Sequence, residues 1–233
     1  MREIASASAP RNFPLRLLPK QLEMACHYND RGRWYVHPSG GGYLSVTSVI
    51  GAAMDKSWIG EWRGKVGDEE ADRVSGRAKT AGTAVHDMCE RYVLDSLVSL
   101  DGEMPMNVMS FRSIKRALDR HLDLVYGTEV LLSSDYLMTA GKTDLLGKWD
   151  GVDSVIDFKT ASKPKTDEDI LGYFLQGTAY SMMAEETYGL KFHQVVIIIA
   201  VQFEEEPQVF IKQTIDYVDM VRKIFIEGLT FGH

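Results

Sequence analysis

Two textures divide this chain. Across residues 58–98, and again across about 109–125, apolar residues recur at helical spacing, with Ile114, Leu118 and Leu122 at i, i+4 and i+8. After Tyr126 the pattern becomes runs rich in Val, Ile, Leu and Phe at 129–132, 141–149, 154–159, 194–202 and 208–214, which predict five strands. A helix over about 166–188 separates the third run from the fourth, and another is expected over 216–227. Upstream, residues 1–30 hold Pro10, Pro14 and Pro19 and read as irregular. Trp34-Tyr35-Val36 and Tyr43-Leu44-Ser45-Val46, split by the Gly40-Gly41-Gly42 turn, predict two extended pieces or a short hairpin. Thr47 or Ser48 is the expected cap of a helix running through Val49, Ile50 and Met54, and the 58–98 run is expected to break near Ala81-Gly82. Helices first, then strands around one crossover helix, predict an α/β (α+β) fold with a mixed central sheet flanked by helices. The expected division is an N-terminal extension over 1–42 and one domain over 43–233. Within that domain, helices fill about 50–125 and the sheet core about 126–233.

Composition narrows the class. With 233 residues, 45% hydrophobic and 25% charged, the chain has enough apolar material for a buried core. Its longest apolar run, 195–201, falls far short of the roughly 20 residues a membrane span needs. The first ten residues lack the apolar segment of a secretory signal, so a cytoplasmic protein is expected. Cys26 and Cys89 are too few and too far apart for a disulfide framework, a zinc site or an iron-sulfur cluster. A net charge of -7 does not advertise a nucleic-acid binder, but clustered carboxylates for a divalent cation and local basic stripes can coexist with an acidic total. No Walker-type phosphate loop or helicase motif occurs, so no nucleotide cofactor is expected.

The candidate chemistry lies in two of the predicted strands. Asp144 sits in Gly141-Lys142-Thr143-Asp144 and Asp157 in Asp157-Phe158-Lys159-Thr160, with Asp150-Gly151 as the turn between them. Antiparallel pairing around that turn brings both carboxylates together, and the two-residue spacing puts Asp157 and Lys159 on one face. A hard divalent cation takes such carboxylates with a backbone carbonyl, here that of Phe158. A lone Asp-x-Lys triplet is also what any half-exposed strand can carry, and it gains meaning from its companions.

Those companions form an ordered series: Gly82-Thr83-Ala84-Val85-His86 with Glu90 and Tyr92 behind it, Gly141-x-x-Asp144, Asp157-Phe158-Lys159-Thr160, then Gln176-x-x-x-Tyr180. In this order the segment resembles the PD-(D/E)XK nuclease superfamily, and within it the RecB-type exonuclease branch. Ser45-Val46-Thr47-Ser48-Val49-Ile50, Trp62 and Ala71-Asp72 extend the likeness to small stand-alone bacteriophage exonucleases related to the mitochondrial genome maintenance exonuclease. The resemblance covers roughly residues 43–202.

It implies a Mg²⁺- or Mn²⁺-dependent hydrolase of DNA. Asp144 and Asp157 would bind the cation with the Phe158 carbonyl, His86 would be a further ligand, and Glu129 a direct ligand or a support. Lys159 would position water and neutralise phosphate charge, a role favoured over that of a base because carboxylate neighbours oppose a depressed pKa. Gln176 and Tyr180, four apart on one helical face, would contact DNA near the scissile phosphate and brace the site. Arg112, Lys115, Arg116 and Arg120 form a basic helical stripe, and Lys163 with Lys165 follows the Asp-x-Lys strand. Each set either meets phosphates or is a solvated face. Trp58 and Trp62 either stack on unpaired bases or pack in the core. The expected activity is exonuclease action on single strands or ends threaded past a helical arch at about 50–125, with DNA and replication or recombination proteins as partners. Endonuclease or flap cutting by the same centre, and a catalytically silent DNA-binding recombination accessory protein, stay open.

Overall fold

A turn whose two central residues take positive φ suits the twist of a two-residue hairpin. Asp150 (φ 46) and Gly151 (φ 79) supply it, joining strands whose last pair is Trp149–Val152. The structure, a computed structural model, describes residues 12–16, 18–19, 22–30, 32–36, 40–54, 57–94 and 98–228, leaving aside the Trp58 side chain. In chain order its elements are β1 (Ala25–Asn29), β2 (Gly32–Val36), β3 (Gly42–Ser45), α1 (Val46–Ala53), α2 (Ser57–Val66), α3 (Asp68–Leu94) and α4 (Pro105–His121). Then come β4 (Leu122–Ser134), β5 (Thr139–Trp149), β6 (Val152–Ala161), α5 (Leu171–Tyr188), β7 (Gln194–Val201), β8 (Gln208–Gln213) and α6 (Val218–Phe225). The fold is α+β, as the pattern of the sequence predicts: a mixed eight-stranded sheet flanked by helices. No helix of the described residues is long and apolar enough to cross a membrane.

Alternation along the strands assigns the two faces. Leu145, Ile156, Phe158, Val196 and Ile198 pack under α3 and α4. Leu146 and Val155 pack under α1, α5 and α6, and Val195, Ile197 and Ile199 pack with Ile170 and Phe174. The α5 crossover joins β6 to its parallel neighbour β7 and approaches it closely at Gly177, where an added Cβ would lie 2.4 Å from Val195 Cγ1. In an unpacked helix Gly→Ala stabilises by about 1 kcal/mol. Here the methyl must push α5 off the sheet, so Gly177→Ala is expected to cost about 1–3 kcal/mol and lower the thermal midpoint by about 2–10 °C. A melt showing a raised midpoint would mean that this contact is slack.

Several boundaries differ from the expected ones, each for a local reason. Residue 42 does not separate an extension from the domain, because β1 and β2 continue the sheet through β3, and Pro14, Leu15, Arg16 and Leu18 lie beside β4 with Leu15 bridging Val125. Ser45, not Thr47 or Ser48, caps α1, its side chain accepting the Ser48 N–H at 3.2 Å. The helical run breaks at Gly67 (φ 85) instead of Ala81-Gly82. Gly82 stays helical at the modest cost of a glycine, with nothing within 4 Å of where its Cβ would be. The C-terminal half of α3 and the inner face of α4 belong to the core, whereas α2 and residues 72–80 of α3 are largely exposed.

One edge of β5 pairs with β4 along its length, while the other is shared, by β3 at Thr139–Ala140 and by β6 from Leu145 onward. Among the described residues, 141–144 therefore have no strand on that edge, and a cleft opens there.

Candidate active site

Strand register aligns three carboxylates across this cleft. Glu129 lies between the Thr128–Leu145 and Val130–Thr143 pairs, opposite Asp144, and one step beyond Leu145–Ile156 puts Asp144 opposite Asp157. Where the β5–β6 ladder stops, the Asp144 carboxylate replaces the missing backbone acceptor, taking the Phe158 N–H at 2.9 Å. Glu129 adopts φ 48, a sparsely populated conformation for a residue with a side chain. Such strain persists where surrounding structure imposes it, often at functional sites.

The cleft holds a pocket of about 500 Å³ lined by His86, Glu129, Asp144, Asp157, Lys159, Gln176 and Tyr180, seven positions singled out in the sequence. His86 reaches it from α3, with Nδ1 3.4 Å from Asp144 Oδ2 and its ring edge-on to Phe158. Lys159 pairs with Asp157, lies 4.9 Å from the centre of the Tyr173 ring and donates to the Phe158 carbonyl at 3.4 Å. Gln176 of α5 donates to Asp157 Oδ1 over a long 3.5 Å. Tyr180 is buried, its hydroxyl without a hydrogen bond, and its phenol rests on Gly141. A Cβ at Gly141 would sit 2.9 Å from that hydroxyl, which explains the glycine three residues before Asp144.

Charge in the pocket is closely balanced. Burial opposes ionisation of Asp144, but His86, the Lys159 charge and the Phe158 N–H hold its carboxyl below the usual range. Burial pushes Asp157 up to about 6; Lys159 resists the rise and Asp144 adds to it. Glu129 is raised by burial and by Asp144. Burial works to lower His86 and Lys159, yet Asp144 raises the histidine and Asp157 with Asp144 raises the lysine. Lys159 is thus an ammonium in this state, not a free base.

The same geometry gathers a group of side chains that could hold a metal ion. Ligand atoms of His86, Glu129 and Asp144 all lie within 4.8 Å of one another. An octahedral ion with bonds of about 2.1 Å sets neighbouring donors about 3 Å and opposite donors about 4.2 Å apart. Small side-chain movements close that difference. Asp157 Oδ2 is buried against the Lys159 ammonium, so it stands outside this trio yet beside it. The trio offers two hard oxygen donors and one imidazole, and no thiolate stands among them. Glu90 is engaged elsewhere, accepting from Thr128 Oγ1 at 3.2 Å beside Glu129.

The other expected contacts lie outside the pocket. On α4, Lys115 pairs with Asp119 at 2.5 Å, Arg116 with Glu205, and Arg120 with Glu206 at 2.8 Å, leaving Arg112 exposed. Two of the four stripe residues are therefore neutralised by the β7–β8 turn and Lys115 by its own helix, through exposed ion pairs that are individually weak. Lys163 is exposed beyond the end of β6, and the Lys165 N–H donates to Gln208. Trp62 is half-buried on α2, and the Trp58 side chain lies outside the described residues.

Arg33, Lys142 and Tyr173 also line the pocket and escaped the sequence reading. Lys142 carried a signal, being two residues before Asp144 on the same predicted strand, and it lies 3.8 Å from Glu129. No protein-family model and no curated protein matches the chain, so the site rests on its own geometry.

Proposed function

We propose that the protein is a divalent-metal-dependent hydrolase of phosphodiester bonds in DNA, acting as an exonuclease on single strands or strand ends. The observation that carries this reading is the convergence of Asp144, Asp157, Lys159 and His86 in the gap between β3 and β6, with Glu129 opposite Asp144. Their order along the chain is that of the RecB-type nucleases the sequence resembles.

His86, Glu129 and Asp144 would hold the cation, with Asp157 and the Phe158 carbonyl adjoining. When bound, it would supply Lewis-acid polarisation of a phosphoryl oxygen and a lowered pKa for an attacking water. Lys159 keeps its proton and places an ammonium where negative charge grows on the phosphoryl oxygens. Gln176 and Tyr173 fix the Asp157–Lys159 pair from α5, so these groups need little reorganisation during reaction. Tyr180 on Gly141 braces the strand that carries Asp144.

Cation binding should be proton-linked. His86 and Glu129, both raised above their ordinary values, retain protons that a cation must displace. Mn²⁺ is expected to raise the thermal midpoint at pH 7.5, with the increment shrinking as pH falls. Thermal melts with and without Mn²⁺ from pH 7.5 downward check the sign, and an increment that grows toward acid would exclude this donor set.

Incubating end-labelled linear and covalently closed circular single strands with Mg²⁺ tests the activity, with Asp157→Ala as control. Loss of label from the linear strand alone supports an exonuclease, whereas cutting of the circle would replace that reading with an endonuclease. Equal inactivity of wild type and variant would leave a silent DNA-binding protein.

A further inference from the structure

Arg33 enters the pocket from β2, outside the segment that carries the nuclease resemblance. The sequence builds a specific seat for it. Its backbone N–H donates to Ser48 Oγ at 3.1 Å, and its Nη2 to Thr47 Oγ1 at 3.3 Å. Those hydroxyls are held by Ser45 Oγ, 2.8 Å from Ser48 Oγ and 3.1 Å from Thr47 Oγ1, at the start of α1. Gly32 (φ 117) lets β2 come this close, since its Cβ would lie 2.4 Å from Ser48 Oγ. The guanidinium also sits 5.6 Å from the centre of the Tyr35 ring.

So firmly placed a cation would be expected to serve a carboxylate, and it serves none. Arg63, Arg73, Arg91, Arg116, Arg120 and Arg222 each pair with Asp or Glu. Arg33 forms no ion pair among the described residues; burial works to lower its pKa, while the phenols of Tyr35, Tyr180 and Tyr28, the last also through a side-chain hydrogen bond, raise it. Its Nε is buried and donates no hydrogen bond. A buried donor left unmade is costly, and a guanidinium fork matches the spacing of two oxygens on one phosphate. The pocket carboxylates are engaged elsewhere: Glu129 with Lys142, Asp144 with His86, and Asp157 with Lys159. The vacant hydrogen-bonding capacity therefore suits an anion from outside the chain.

We infer that the Arg33 guanidinium binds one phosphate of the DNA strand inside the catalytic pocket. This rests on the phosphodiesterase reading above and adds a substrate contact that the N-terminal hairpin contributes. Arg33→Ala is expected to weaken binding of a labelled single-stranded oligonucleotide in EDTA by about 10- to 100-fold and to raise KM comparably. Arg33→Lys, which keeps the charge but loses the fork, should restore only part.

A merely structural role is separated by a cycle with oligonucleotides carrying one uncharged methylphosphonate linkage, moved position by position. At one linkage, neutralisation should weaken wild-type binding about as much as Arg33→Ala and have no further effect on the variant. If Arg33→Ala does not fold, Arg33→Lys takes its place in the cycle. Strict additivity at every linkage, or a folded variant that binds and cleaves like wild type, would overturn the inference while leaving the nuclease reading intact. A wild type that cleaves no strand under any cation would instead overturn the reading on which it rests.

Discussion

Asn in place of Asp144 is expected to lower phosphodiester cleavage by about a thousandfold or more, close to 4 kcal/mol of transition-state stabilisation. The carboxylate is the most connected group in the pocket: it accepts the Phe158 N–H at 2.9 Å, faces His86 at 3.4 Å and belongs to the proposed cation trio. Asparagine is nearly isosteric and its carbonyl oxygen still accepts the Phe158 N–H, so the end of the β5–β6 ladder survives and the change is one of charge. Hydrolysis of an end-labelled strand, with far-UV circular dichroism to verify the fold, measures the effect. Retention of more than about a tenth of wild-type activity would remove Asp144 from the reacting centre.

Lys159→Met should produce the second largest change, through two separable consequences. The first is catalytic: without the ammonium, kcat falls by about 100- to 1000-fold, by analogy with loss of one preorganised charge-stabilising donor, and KM changes little. The second is on stability. Asp157 is 5% exposed, and Lys159 is its ion-pair partner. Removing one partner of a buried pair costs about 3–5 kcal/mol because the other charge is left uncompensated.

The sign of the pH dependence follows. In wild type the folded pKa of Asp157, about 6, already lies above the ordinary value near 3.9. Loss of Lys159 moves it further up, so between the two values the folded state holds more protons than the unfolded one and stability falls as pH rises. Lys159→Met should therefore melt well below wild type at pH 8 and recover part of the deficit near pH 5. A deficit independent of pH would mean that Asp157 is not the group left unpaired.

What the sequence revealed and what it hid follow from how each part is held. β5, β6 and β7 are legible because their side chains fill the core on both faces, and Asp150-Gly151 announces the turn between the first two. Asp144, Asp157 and Lys159 stand out as polar residues within those apolar runs, and the register then forces the two aspartates opposite one another. β1 is exposed at all five residues and is held in the sheet by its pairing with β2, which leaves no periodic apolar trace. Arg33 adjoins the expected Trp34–Val36 strand, but its place in the pocket is set by its bonds to the hydroxyls around the Ser45–Ser48 cap, which no local pattern announces. The α4 stripe shows the opposite failure. Its basic spacing is visible in the chain, but Glu205 and Glu206, which neutralise Arg116 and Arg120, lie more than 80 residues away and meet it only through the fold. Glu129 was placed near the site by its strand, whereas its positive φ is imposed by tertiary structure.

The most direct measurement is the rate at which purified protein hydrolyses a 5′-labelled single-stranded oligonucleotide in EDTA, Mg²⁺ and Mn²⁺. The account predicts turnover only when a divalent cation is present, with products bearing 5′-phosphates. Hydrolysis at the same rate in EDTA, or no hydrolysis under any of the three conditions, would contradict it.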